Sequence, residues 1–127
     1  MTPLLVAAIG AGIKAITFYG GAKAGMRTML DALIPAHTAA STCIDTLASA
    51  ADDAKANAGG VAVNSSSAVV QALADGARLG AESTKTMEAV AGRASYVPAE
   101  KIRGVPDPGA MALALAFAAI AQSVAQQ

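Results

Sequence analysis

The chain has no tryptophan, two phenylalanines, two tyrosines, one cysteine and one histidine in 127 residues, and these shortages exclude several chemistries. Cys43 has no second cysteine to pair with, and without a Cys-x-x-Cys pair or a Cys/His cluster a zinc site has no ligands. A reducing compartment, the cytoplasm, is therefore expected. Nine basic residues balance nine acidic ones, and the signs alternate along the chain, so the basic stripe that grips nucleic acid is missing. The same balance leaves no basic amphipathic face for a membrane surface. The apolar runs at 3–13 and 110–121 fall short of the roughly 18 to 20 residues of a membrane span, and the first lacks the basic start of a signal peptide. Both are read as buried core helices. No Gly-x-Ser-x-Gly elbow accompanies His37, which lies on an apolar helical stripe and reads as a core or edge residue. Asp52 and Asp53 point about 100 degrees apart on a helix and read as a solvated helix end, and no cluster of oxygen ligands suggests a metal site.

What the chain does contain is alanine. Hydrophobic residues make up 54% of it while aromatics are only 3%, a balance that favours closely packed helices over sheet, because alanine is the best helix former and β-branched or aromatic runs are scarce. The length suits one domain, 1–127. Leu5, Ile9, Gly12, Ile16 and Tyr19 recur at steps of three and four, which predicts a helix ending near Gly20 and Gly21. A second helix is expected over about 27–55, carrying Leu30, Leu33, His37, Ala40, Ile44 and Leu47 on one stripe, with Pro35 removing one hydrogen bond and kinking or breaking it. Gly59 and Gly60 mark a loop, and Asn64, Ser65, Ser66 and Ser67 offer caps for a third helix. Its stripe of Val70, Leu73, Ala77, Gly80, Thr84, Met87 and Ala91 predicts helix as far as residue 91. Gly76, Ala77, Gly80 and Ala81 give this helix a small-residue face, and the roughly 1 kcal/mol that each interior glycine costs against alanine is offset by close packing. Leu113, Phe117, Ile120 and Val124 mark the last helix. The expected fold is all-α, an antiparallel bundle of about four main helices without strands.

Two connections carry more chemistry than a linker needs. Gly20-Gly21-Ala22-Lys23-Ala24-Gly25 precedes a helix and so lies near free amides and a positive dipole end, although no Gly-Lys-Ser/Thr closes it as in a Walker A loop. Residues 92–110 combine Pro and Gly with three basic side chains, one tyrosine and Asp107-Pro108-Gly109. There Asp107 reads as an N-cap and Pro108 as a first-turn proline, which has no amide to leave unsatisfied. Arg93 supplies a guanidinium that can stack on a base or grip a phosphate.

Together these stretches are more specific than either alone. Gly20-Gly-Ala-Lys-Ala-Gly-Met-Arg-Thr-Met-Leu-Asp-Ala-Leu-Ile-Pro-Ala36, followed by Gly92-Arg-Ala-Ser-Tyr-Val97 and then Asp107-Pro-Gly-Ala110, resembles the L domain of dihydroxyacetone kinases (DhaL, or Dak2). The resemblance covers essentially the whole chain. It implies part of a barrel of eight antiparallel helices that binds ATP or ADP with magnesium at one end. Such a domain phosphorylates dihydroxyacetone held by a partner K domain, or takes its phosphate from a phosphotransferase system through a bound nucleotide. By motif, Gly20 and Met29 would line the adenine pocket, and Arg93, Asp107, Pro108 and Gly109 would complete the nucleotide's surroundings.

The departures from the family pattern carry expectations of their own. Met26 stands where the family commonly has aspartate before Arg/Lys-Thr-Met, and losing a capping carboxylate there should weaken the helix start by about 1 kcal/mol. The family's Gly-Asp-x-Asp-x-Gly segment, which supplies the magnesium-binding aspartates, and its Gly-Gly-Ala-Ser/Gly phosphate loop do not occur in these 127 residues. The chain therefore resembles the last four or so helices of the domain, with no magnesium ligands and no catalytic residue of its own. A kinase module that is inactive alone is the expected function. The alternative is a non-catalytic helical module that associates with itself or another chain through the apolar face the missing helices would cover.

Overall fold

Small residues on facing helices allow two backbones to approach closely, and the fold is organised around one such contact. The computed structural model describes residues 2–56 and 65–126. Its elements are α1 (Thr2–Gly20), α2 (Leu30–Ala56), α3 (Ser65–Ser83), the single-turn α4 (Ala99–Ile102) and α5 (Pro108–Ala125), with short 3-10 turns at Thr84–Thr86 and Arg93–Tyr96. No strand occurs among the described residues, so the bundle is all-α. The expected glycine loop at 59–60 and the cap at Asn64 lie outside the described residues.

α3 crosses α2 at Gly76 and Gly80. A Cβ at Gly76 would lie 2.6 Å from the Pro35 carbonyl oxygen and 2.8 Å from Ala36 Cα, and one at Gly80 would lie 2.1 Å from the Asp31 oxygen. Numbers rise along α3 as they fall along α2, so the two run antiparallel. Pro35 explains why the crossing is so tight. Having no amide, it cannot bond the Asp31 carbonyl one turn back, and Gly80 turns a Cα hydrogen toward that same oxygen, a contact worth up to about 1 kcal/mol. α2 accordingly continues through Pro35 to Ala56. The core around the crossing is mostly alanine, with Ala32, Ala36, Ala40, Ala77 and Ala81 packed around Val6, Val69 and Leu73 and joined by Ala110 and Ala114 of α5. α5 is antiparallel to α3, since its first turn meets Thr84 while Ala121 packs on Val70 and Ala74.

Gly12 is the opposite case, because a Cβ there meets nothing within 4 Å. Gly12→Ala is therefore expected to raise stability by up to about 1 kcal/mol in chemical denaturation.

Three expectations need correction. The second helix starts at Leu30, not near Arg27, because the chain before it is held in a loop by the Asp31 side chain. Met26 consequently lies outside the helix and away from its cap, which Thr28 provides with Asp31 reaching back to the Thr28 amide. The third helix ends at Ser83, well short of residue 91, because Thr84 is buried and engaged by the connection to α5. Finally, the two apolar runs are not too short for a membrane span, and the first is not a buried core helix. Thr2–Gly20 and Pro108–Ala125 form helices of 19 and 18 residues with mean hydropathies of 1.5 and 1.6, because each run extends past its strictly apolar part, the first with Lys14 as its one charge and the second with none.

These two helices differ in their surroundings. α5 buries Ala110, Ala114 and Ala121 in the bundle. α1 buries only Val6, while Leu4, Leu5, Phe18 and Tyr19 are exposed. α1 rests on α2 through Gly10, whose Cα faces the His37 ring closely enough that a Cβ would fall 2.7 Å from Nε2. His37 is half-buried at this helix edge.

Candidate functional site

The site is built from three segments that α2, α3 and α5 bring together at one end of the bundle. The first is the loop before α2. Asp31 Oδ1 accepts the Gly25 amide at 2.5 Å and Oδ2 accepts the Thr28 amide at 2.8 Å, while Thr28 Oγ1 accepts the Leu30 amide at 3.2 Å. Thr28 is thus the N-cap of α2 and Asp31 the residue that reaches back to its amide, as in a capping box, while the second Asp31 oxygen closes the loop upon itself. Between the two anchored amides Arg27 takes φ = +58°, a left-handed conformation uncommon outside glycine and asparagine.

The second segment is the connection before α5. Asp107 caps that helix, its Oδ2 accepting the Ala110 amide at 2.9 Å, and Pro108 occupies the first turn. The Asp107 amide donates to Thr84 Oγ1 at 2.7 Å, and the Thr84 hydroxyl donates in turn to the Ala81 carbonyl at 2.6 Å. The Gly104 amide reaches the Lys85 carbonyl at 3.2 Å. The connection is therefore tied to the end of α3 at two points.

Arg27 joins the first segment to the second. Only 2% exposed, it donates from Nη2 to the carbonyls of Val105 at 2.8 Å and Ile102 at 3.4 Å, and its Nη1 lies 4.0 Å from Asp107 Oδ1. Its Nε is buried without a partner. The third segment, residues 91–97, closes the remaining side. Gly92 turns it with φ = +73°, and Ser95 Oγ bonds the Gly92 carbonyl at 2.7 Å.

Between these segments lies a cleft of about 670 Å³, within the usual range of small-molecule sites. Met29, Arg93, Asp107, Pro108 and Gly109 all line it, together with Arg27, Thr28 and Val97. Gly109 forms part of the wall beneath Met29, since a Cβ there would lie 3.5 Å from Met29 Cβ and 3.2 Å from Asp107 Oδ2. Gly20 is placed elsewhere: it is the exposed last residue of α1, with nothing within 4 Å of a Cβ, and is not among the lining residues. Reading the sequence for chemistry missed Arg27, Thr84 and Asp31. The one available signal was Asp31 itself, a carboxylate near a helix start.

The carboxylates at this end are committed to amides. Asp31 accepts an amide on each oxygen, and Asp107 faces the Ala110 amide and Arg27. Among the described residues no three His, Cys, Asp or Glu side chains come together as a metal site. The described residues therefore gather no ligand set for the magnesium of the family pattern.

An apolar cleft with a capped helix start and two arginines thus lies at one end of an all-α helical domain. The chain belongs to the DAK2 domain family, whose model matches residues 36–122. It is 43% identical over 94% of its length to a protein of Solanum lycopersicum named as a candidate 3,4-dihydroxy-2-butanone kinase, and 39% identical over 94% to a dihydroxyacetone kinase of Citrobacter freundii. It is also 39% identical over 93% to the triokinase/FMN cyclase of Rattus norvegicus. In each case it spans 18% of the relative's length. No solved structure matches the chain.

Proposed function

We propose that this chain forms the base-side wall of the nucleotide site in a dihydroxyacetone kinase L domain. The cleft takes the adenine of ATP or ADP, and Met29 lies against the base, where a polarizable thioether adapts to a flat aromatic face. Arg93, exposed at the rim, meets the sugar or phosphates. The observation that carries this reading is the convergence of Met29, Arg93, Asp107, Pro108 and Gly109 on one apolar cleft, from stretches far apart in sequence. Gly20 belongs to the same proposal by motif alone. In the complete site, phosphoryl transfer to a small hydroxyketone held by a K domain or subunit needs magnesium to offset charge on the phosphoryl oxygens. No residue here supplies that, so these 127 residues bind nucleotide without turning it over. As a kinase module whose lone cysteine suits a reducing compartment, the chain acts in the cytoplasm.

The test is calorimetric titration with ADP. Met29→Ala is expected to weaken binding roughly fivefold and Arg93→Ala roughly tenfold. Binding unaffected by either change contradicts the placement, and ATP-dependent phosphorylation of dihydroxyacetone by the purified chain, with or without a K subunit, contradicts the inactivity.

One observation favours a second reading, association through α1. Phe18 is 80% and Tyr19 85% exposed, alongside Leu4 and Leu5, on a helix that buries a single residue. Exposed apolar area of this kind marks a contact surface. Sedimentation should then show a dimer or larger species that Leu4→Ser with Phe18→Ser converts to monomer. A monomeric parent chain excludes self-association.

A further inference from the structure

The geometry points to Arg27 as a positioning residue for the cleft: we propose that its guanidinium couples the loop before α2 to the connection before α5, so that the two walls form and open as one unit. This rests on the reading of the cleft as a nucleotide site only in its effect on binding.

Three observations carry it. The Arg27 backbone is held in the left-handed region between Gly25 and Thr28, whose amides both bond Asp31. Such a conformation persists only where the surroundings over-determine it. The side chain is 2% exposed yet spends its donors on main-chain carbonyls, those of Val105 and Ile102, instead of on a carboxylate at close range. Its Nη1 stands 4.0 Å from Asp107, the residue whose own amide and carboxylate fix the start of α5. One planar fork thus spans from the wall that bears Met29 to the wall that bears Gly109. Nη2 alone serves both carbonyls while Nη1 faces Asp107; a lysine has the charge but a single nitrogen on a differently shaped stem, so it cannot hold the carbonyls and face Asp107 at once in this geometry. Unpaired, those carbonyls draw water into the connection and release Asp107 from its position.

Arg27 is therefore a determinant of affinity through the walls it aligns and makes no contact with the ligand that the proposal requires. The regulatory consequence is reciprocal: a ligand that bridges the walls slows opening of both, including loop amides it does not touch.

Hydrogen exchange on the whole 127-residue chain tests this without any ligand. In Arg27→Lys the amides of Gly104, Val105 and Asp107 should exchange about tenfold faster, together with those of Gly25 and Thr28. Amides at the α2–α3 crossing, such as Ala36 and Ala77, should keep their parental rates. Unchanged rates at Gly104 to Asp107 overturn the proposal, and so does acceleration that spreads to Ala36 and Ala77, which marks a merely structural role. Should Arg27→Lys not fold, the parent chain decides the matter: with rising urea, the amides of Gly25, Thr28 and Asp107 should follow a single opening curve, and separate curves overturn the coupling. ADP affinity should fall about tenfold in Arg27→Lys in step with the exchange. If the exchange pattern appears but the parent chain binds no ADP, the coupling stands and the nucleotide reading falls.

Discussion

Replacing Gly80 by alanine is expected to destabilise the chain by roughly 3 kcal/mol, at the upper end of overpacking costs, although the same change in an open helix is stabilising by about 1 kcal/mol. The sign is decided by what the new methyl meets. Its carbon would fall 2.1 Å from the Asp31 carbonyl oxygen and 2.9 Å from Ala32 Cα, both main-chain atoms that no rotamer change can move. α3 would have to lift off α2, opening the alanine-lined core at Ala32, Ala36 and Ala77, where little side-chain volume is available to refill the gap. A Tm lowered by roughly 10 °C follows for a chain of this length. The paired comparison with Gly12→Ala, where space is open, separates packing from propensity. Equal and small effects at both positions would mean that the helices do not cross backbone to backbone.

Asp107→Ala should have the next largest effect, a loss of about 2 kcal/mol from the N-cap of α5. Asp107 is 7% exposed and accepts the Ala110 amide, and it is the carboxylate nearest the Arg27 guanidinium. Removing it leaves a buried amide and an arginine with less compensation, so the loss lies nearer the top of the capping range than the bottom. Asp107→Asn keeps an oxygen for the Ala110 amide and should recover more than half of that stability in urea denaturation, because a 4.0 Å separation makes the ion pair the smaller part. An asparagine variant as unstable as the alanine one would show that charge, not capping, holds this helix start. In Asp107→Ala the cleft loses the residue that fixes its second wall, and ADP affinity should fall alongside stability.

What could be read in the sequence was whatever rests on local periodicity and composition. Leu73, Ala77, Gly80 and Ala81 share one face at helical spacing, so both the third helix and its close approach to a neighbour follow from the pattern. Asp107 and Pro108 announce the start of α5 by capping chemistry alone. The helix ends that differ were settled by contacts between distant segments, which periodicity does not encode. The stripe through Thr84 and Met87 continues in sequence, but Thr84 gives its hydroxyl to the Asp107 amide and the helix stops at Ser83. Likewise Arg27 reads as an ordinary first-turn residue until Ile102 and Val105 appear as its partners. Met29, Arg93 and the Asp107-Pro108-Gly109 turn became visible as candidates through resemblance to the family, and their common cleft through the fold.

Whether this cleft receives an adenine nucleotide is decided by titrating the isotopically labelled chain with ADP and following it by NMR. A single saturable set of shifts is predicted at the Met29 methyl, the Gly92 and Arg93 amides and the Gly109 amide, with Gly12 and Leu115 unmoved. Saturable shifts confined to the separate groove between α3 and α5, lined by Arg78, Met111 and Leu115, or no saturable shift at all, would contradict it.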